Sequence, residues 1–242
     1  MCFLTRADEN LIKKKSKLIG HDEIFNSCKK VIDLVHGSDR ELVELCDELE
    51  IRSINIFYGE TGTGKTTLSY SLAEYALNEF EVETYELRFQ DIITTELGKT
   101  LENFHLAYEE INRLCRDGEG IVLFLDEFDR LLVDRQQSNE VSEMKRAFIS
   151  LMDFFQSISI EHKITILATT NCFDQIDSAL KRRFSFHYKV QCDDLALKEC
   201  TDRISKKIPD SLGYTIPEDY LESSKTIAEL KQKVRSDIVK LL

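Results

Sequence analysis

The stretch Ile54-Asn-Ile-Phe-Tyr-Gly-Glu-Thr-Gly-Thr-Gly-Lys-Thr66 runs an apolar segment straight into a glycine-rich turn, and a pattern with helical spacing follows it. Its second half, Gly59, Glu60, Thr61, Gly62, Thr63, Gly64, Lys65 and Thr66, meets the spacing GxxxxGK[ST], with Thr67 opening the helix behind. Glycines let the backbone curl so that its N–H groups converge on an anion, and the positive end of the next helix adds to the attraction. A lysine at position 65 can reach β and γ phosphates, and a hydroxyl at position 66 can face a magnesium ion. The strand-turn-helix context predicts that the chain binds a nucleoside triphosphate.

Composition narrows the rest. Forty-two per cent of the 242 residues are apolar, enough for a sizeable core. The 44 acidic residues against 32 basic ones give a formal charge of -12, which argues against broad electrostatic capture of nucleic acid or anionic lipid. The seven cysteines are scattered without a CxxC pair, so reduced thiols are expected rather than disulfides or a zinc site. No apolar stretch approaches a membrane span, and Met1–Arg6 is too short for a signal-peptide core before Asp8, so a cytoplasmic location is expected. The basic run Lys13, Lys14, Lys15 and Lys17 reads as solvated surface.

Strand-like runs at 54–58, 82–89, 121–125, 164–169 and 186–190 alternate with stretches of helical spacing. That alternation predicts an α/β fold with a parallel sheet flanked by helices, its first strand at Ile54 after a helical preface. Leu68, Leu72, Tyr75 and Ala76 mark one helix face; Leu101, Phe104, Tyr108, Ile111 and Leu114 mark a second; Val141, Met144, Phe148, Leu151 and Phe155 mark a third. All three read as core. Beyond Val190 the strands stop. Ile227, Leu230, Val234, Ile238 and Leu241 outline a closing helix, and Pro209 and Pro217 flank a loop at Asp210–Ile216. The expected division is an α/β core over 1–191 and a small helical lid over 192–242.

Three further places carry chemistry. Ile121-Val-Leu-Phe-Leu-Asp-Glu127 is a buried-strand pattern ending in two acids, at the strand end where an α/β sheet keeps its ligand. Asp126 is placed to hold Mg²⁺ through water, and Glu127 to orient and deprotonate a water attacking a γ phosphate. Ile164-Thr-Ile-Leu-Ala-Thr-Thr-Asn171 ends in an amide that could hydrogen-bond that water or a phosphate oxygen; alone, an asparagine there serves turn chemistry equally well. Asp177-Ser-Ala-Leu-Lys-Arg-Arg-Phe184 puts Arg182 and Arg183 before the last strand, and guanidinium forks stabilise phosphoryl transfer, often from a neighbouring subunit.

Taken in order, GETGTGKT, LFLDE, ATTN and DSALKRRF resemble an ATPase of the AAA type within the AAA+ superfamily, over roughly residues 18–190. The resemblance implies ATP and Mg²⁺ as ligands, with Lys65 and Thr66 in the first nucleotide motif and Asp126 and Glu127 in the second. Asn171 would be the first sensor, and Arg182 and Arg183 trans-acting arginine fingers. The segment Lys17-Leu-Ile-Gly-His-Asp-Glu23 is similar to the one preceding the family's phosphate loop, where Ile19 and Gly20 lie near the adenine. The resemblance further implies five parallel strands, a homo-oligomer such as a hexameric ring, and a protein partner that ATP turnover remodels.

Three departures qualify it. Glu96 stands where substrate-threading members usually carry an aromatic residue, which favours as an alternative a nucleotide-gated switch without threading. Thr226-Ile-Ala-Glu-Leu230 lacks the lid's usual glycine-rich signature and no sensor-two arginine is evident. With the first strand expected at Ile54 behind only a helical preface, no separate recruiting domain, protease or membrane anchor is expected within these 242 residues.

Overall fold

Strands whose side chains alternate between two apolar layers must be covered on both sides, and the chain does this with one sheet between two sets of helices. The computed structural model describes residues 3–37, 40–92, 94, 96, 98–116, 120–128, 150–151, 153–155, 157–158 and 162–241. The described elements are β1 (Leu4–Arg6), α1 (Glu9–Lys15), α2 (Asp22–His36), α3 (Arg40–Glu48), β2 (Ile54–Tyr58), α4 (Lys65–Phe80), β3 (Glu83–Leu87), α5 (Phe89–Ile92), α6 (Lys99–Arg116), β4 (Ile121–Leu125), β5 (Ile164–Thr170), α7 (Ser178–Lys181), β6 (Phe186–Lys189), α8 (Asp194–Ser205), α9 (Asp219–Ser223) and α10 (Ile227–Leu241).

The sheet runs β1-β3-β4-β5-β2-β6. Strands β3, β4, β5, β2 and β6 are parallel, and β1 pairs antiparallel with β3 through Leu4↔Leu87 and Arg6↔Tyr85. The expected five parallel strands are therefore joined by a sixth, and the first strand lies at Leu4, not Ile54. Three residues show no alternation to read. The strand forms because backbone pairing covers the edge of β3 while Phe3 and Leu4 enter the core, each no more than 4% exposed.

Ile54 and Ile56 of β2, Leu123 and Leu125 of β4, and Ile166 and Ala168 of β5 face one layer, shared with α6. Phe57, Val122, Phe124 and Leu167 face the other, against α1, α2 and α4. Each large side chain so buried contributes roughly 1.5–3 kcal/mol. On α6, Phe104 and Ile111 are buried, whereas Leu101, expected in the core, is 38% exposed and lies outside it. Leu151 and Phe155 are buried; Val141, Met144 and Phe148 lie outside the described residues.

After β6, helices α8, α9 and α10 gather around Ala196, Leu197, Cys200, Ile227, Leu230 and Val234. The stripe fades at its end: Leu241 is 54% exposed, because the last turn of α10 runs past the helices that cover its start. The expected loop at Asp210–Ile216 holds one 3₁₀ turn, Asp210–Leu212. No helix among the described residues is long and apolar enough to cross a membrane.

Beneath the opposite end of the sheet His36 closes α2, 6% exposed, with Nε2 3.0 Å from Thr165 Oγ1. Burial, reinforced by the Lys163 charge, lowers its pKa to about 4. The unfolded chain takes up this proton near pH 6.5 and the native one near 4, so stability present above 6.5 is lost as pH falls between the two, on the order of 3 kcal/mol in all. Urea unfolding at pH 7 and 5.5 should show native protein losing about 1 kcal/mol more than His36→Gln. Equal losses would show that His36 does not carry this sensitivity.

Candidate nucleotide site

Strand β5 lies between β4 and β2, so the carboxyl ends of all three open on one crevice, beside the turn that follows β2. Gly59 has φ +147°, and a Cβ there would sit 2.3 Å from the Val190 carbonyl oxygen. Gly62 has φ +84°, and its Cβ would meet the Ala228 Cβ at 2.6 Å and Thr226 Oγ1 at 3.2 Å. Both positions therefore need glycine, the second because the start of α10 packs directly on the turn.

A cavity of ≈ 310 Å³ lies over this turn. Of the residues singled out from sequence, Ile19, Thr61, Gly62, Gly64, Lys65, Thr66, Thr67, Asp126, Glu127 and Asn171 line it. Gly20, Gly59, Glu60 and Thr63 are not part of the lining. Glu60 carries the loop outward, while Thr63 is buried, its hydroxyl donating to the Glu60 carbonyl at 2.9 Å. Gly20 donates its N–H to Glu199 Oε2 at 3.3 Å, and Ile19 joins the apolar cluster of α8 and α10. Arg182 and Arg183 are not part of the lining. They follow α7, whose N-cap Asp177 accepts from the Ala179 N–H at 2.7 Å; Arg182 is exposed and Arg183 half-buried.

The Lys65 ammonium, 7% exposed, donates to the carbonyls of Gly59 at 2.9 Å and Glu60 at 2.7 Å. Its charge is thus held inside the curl of the loop. Thr66 Oγ1 donates to Asp126 Oδ1 at 3.2 Å, bringing a hydroxyl and a carboxylate together from α4 and the end of β4. An oxygen-only pair of this kind suits a hard cation such as Mg²⁺. Glu127 is half-buried, with φ +52°, in the left-handed region that non-glycine residues rarely adopt.

Several lining residues escaped the sequence reading. Thr169 donates to Asp126 Oδ1 at 2.5 Å and accepts from the Glu127 N–H at 3.0 Å. Lys17 joins the lining, and Ile227, Ala228 and Lys231 bring in α10, so α10 and the loop share one cavity. His21 Nε2 lies 2.9 Å from the Thr63 carbonyl oxygen, and Arg203 donates to the Leu18 carbonyl at 3.1 Å. The segment before α2 therefore straps the loop to α8. Lys15 is exposed, as the reading of that basic run expects, and also donates to Tyr70 Oη at 2.9 Å with its ammonium over that ring. Of the sequence signals, only the i, i+2 alternation of β5 could have pointed to Thr169.

The profile of the ATPase family associated with various cellular activities (AAA) matches residues 55–192, more than half of the chain and all of the elements that build this cavity floor. The chain belongs to the AAA family. Among AAA relatives, an uncharacterised family ATPase of Sinorhizobium fredii is 32% identical over 136 residues, which cover 56% of this chain and 38% of that protein. A Methanothermobacter marburgensis protein described as a homologue of 26S proteasome regulatory subunits is 30% identical over 182 residues, 73% of this chain and 44% of that one. The chain thus spans less than half the length of these curated relatives. A solved Escherichia coli HORMA:CdnC:Trip13 complex contains a chain that matches with TM-score 0.76 at 15% identity, covering 98% of this chain and 87% of that chain. That likeness concerns the AAA fold alone.

Proposed function

We propose that the chain is a Mg²⁺-dependent ATPase that assembles head to tail with copies of itself and uses ATP turnover to remodel a protein partner. The observation that carries this reading is the convergence, around one cavity, of the Lys65 ammonium, the Thr66 and Asp126 oxygens and the Glu127 carboxylate. The relatives support the remodelling half, since they include proteins described as proteasome regulatory subunit and spastin homologues.

In this reading the loop amides and Lys65 bind the β and γ phosphates, and Ile19 and Gly20 border the adenine. Thr66 and Asp126 would hold Mg²⁺, which when bound offsets phosphate charge. Asn171 orients the attacking water and Glu127 takes a proton from it as its oxygen bonds to the γ phosphorus. The bond from that phosphorus to the bridging oxygen breaks, and ADP and inorganic phosphate leave. Arg182 and Arg183 of the next copy stabilise the charge on the transferring group. Residues 192–242 act as a lid whose position follows the nucleotide, because α10 touches the loop at Gly62.

Specific activity should rise steeply with protein concentration, since half of the site comes from a neighbour. A rate per chain that stays constant over a hundredfold dilution would contradict assembly. A second reading, a switch gated by binding alone, is favoured by Glu96, an exposed carboxylate where threading relatives place an aromatic ring. The two separate on a non-hydrolysable ATP analogue, which supports full activity toward the partner only for the switch.

A further inference from the structure

Thr169 is 2% exposed at the carboxyl end of β5, and a hydroxyl has one proton to give. The carboxylate of Asp126 can only accept, so the 2.5 Å contact fixes Thr169 as its donor and turns a lone pair toward the Glu127 N–H, 3.0 Å away. One residue further, the Phe128 N–H donates to the Thr169 carbonyl oxygen at 2.8 Å, with the Phe128 ring fully buried. Three hydrogen bonds therefore tie the turn that carries both acids to Thr169 of the neighbouring strand. That turn is strained at Glu127, whose φ of +52° lies in the left-handed region that a residue with a Cβ rarely adopts.

We infer that Thr169 is a positioning residue for both acids: its hydroxyl fixes the rotamer of Asp126 and holds Glu127 in the backbone conformation that aims its carboxylate into the cavity. Asp126 Oδ1 receives two hydroxyls, from Thr169 and from Thr66, so its orientation is set from β5 on one side and from α4 on the other. Thr169 and Asn171, just past the end of β5, both line the cavity.

The inference rests on the ATPase reading, and its test separates the two. Thr169→Val keeps the shape and removes the hydroxyl; Thr169→Ser restores the hydroxyl. ATP affinity is measured with EDTA and then across a Mg²⁺ titration, and turnover is measured at saturating ATP. Affinity in EDTA should stay within about threefold of native for both variants, because the loop is untouched. For Thr169→Val the Mg²⁺ needed to tighten ATP binding should rise, and kcat fall, by roughly 10–100-fold, the usual effect of removing a group that orients a metal-site carboxylate. Thr169→Ser should recover most of both. If Thr169→Val fails to fold, Thr169→Cys, with a weaker donor, should give an intermediate shift. An unchanged Mg²⁺ dependence in the hydroxyl-free variant, or a serine variant as impaired as valine, overturns the inference. A native chain that binds ATP with Mg²⁺ but never hydrolyses it overturns the hydrolysis reading, while the Mg²⁺ titration of binding still decides the role of Thr169.

Discussion

Glu127→Gln should bind ATP with near-native affinity and hydrolyse it about 10²–10⁴-fold more slowly, the usual loss when a general base is removed. The amide has the shape of the carboxylate, so the turn held by the Thr169 hydroxyl has no steric reason to move. Binding is expected to survive because Lys65 and the loop lie on another element, with the ammonium anchored by the Gly59 and Glu60 carbonyls. What disappears is the capacity to accept a proton from water. Equilibrium binding of a fluorescent ATP analogue together with single-turnover hydrolysis measures both halves. Turnover within threefold of native would remove Glu127 from its proposed role.

The double variant Arg182→Ala/Arg183→Ala should leave each chain's own ATP affinity nearly unchanged while lowering kcat by about 10³–10⁵-fold, the range attributed to arginine fingers. Neither guanidinium borders the cavity formed by its own chain, and the exposed Arg182 follows α7, its Nε donating to the Ser178 carbonyl at 3.3 Å. In the proposed head-to-tail assembly the pair would complete a neighbour's site. The single variants divide the effect between the two residues, with the finger carrying most of it. Native turnover in the double variant would assign the pair to the surface.

What could be read from the sequence follows physical lines. The turn at Gly59–Thr66 was legible because backbone curvature demands glycine at fixed positions. The end of β4 was legible because the apolar run Ile121–Leu125 stops abruptly at Asp126, and that of β5 because its largely apolar start gives way to Thr169, Thr170 and Asn171. Strand β1 was not, since three residues held by backbone pairing to β3 leave no periodic trace. Leu101 and Leu241 show the limit of the helical stripe, which marks a face but not how far its neighbours extend. Thr169 was hidden in a run of hydroxyls, where only the packing of β4 against β5 decides which one meets Asp126. Lys231 and Ala228 enter the cavity through the fold of α10 back onto Gly62, a contact between residues far apart in the chain.

The central claim is that one functional site is built from two copies of the chain. Mixing the Glu127→Gln protein with the Arg182→Ala/Arg183→Ala protein tests it directly, since each alone is inactive for a different reason. Where the arginines of the first meet the intact loop and Glu127 of the second, a complete site forms; random pairing in a head-to-tail ring equips roughly a quarter of the interfaces. Subunits mixed at dilution and then concentrated with ATP should therefore recover up to about that fraction of native turnover. A mixture as inactive as its two components, in a preparation where native subunits exchange and assemble, would contradict a shared site.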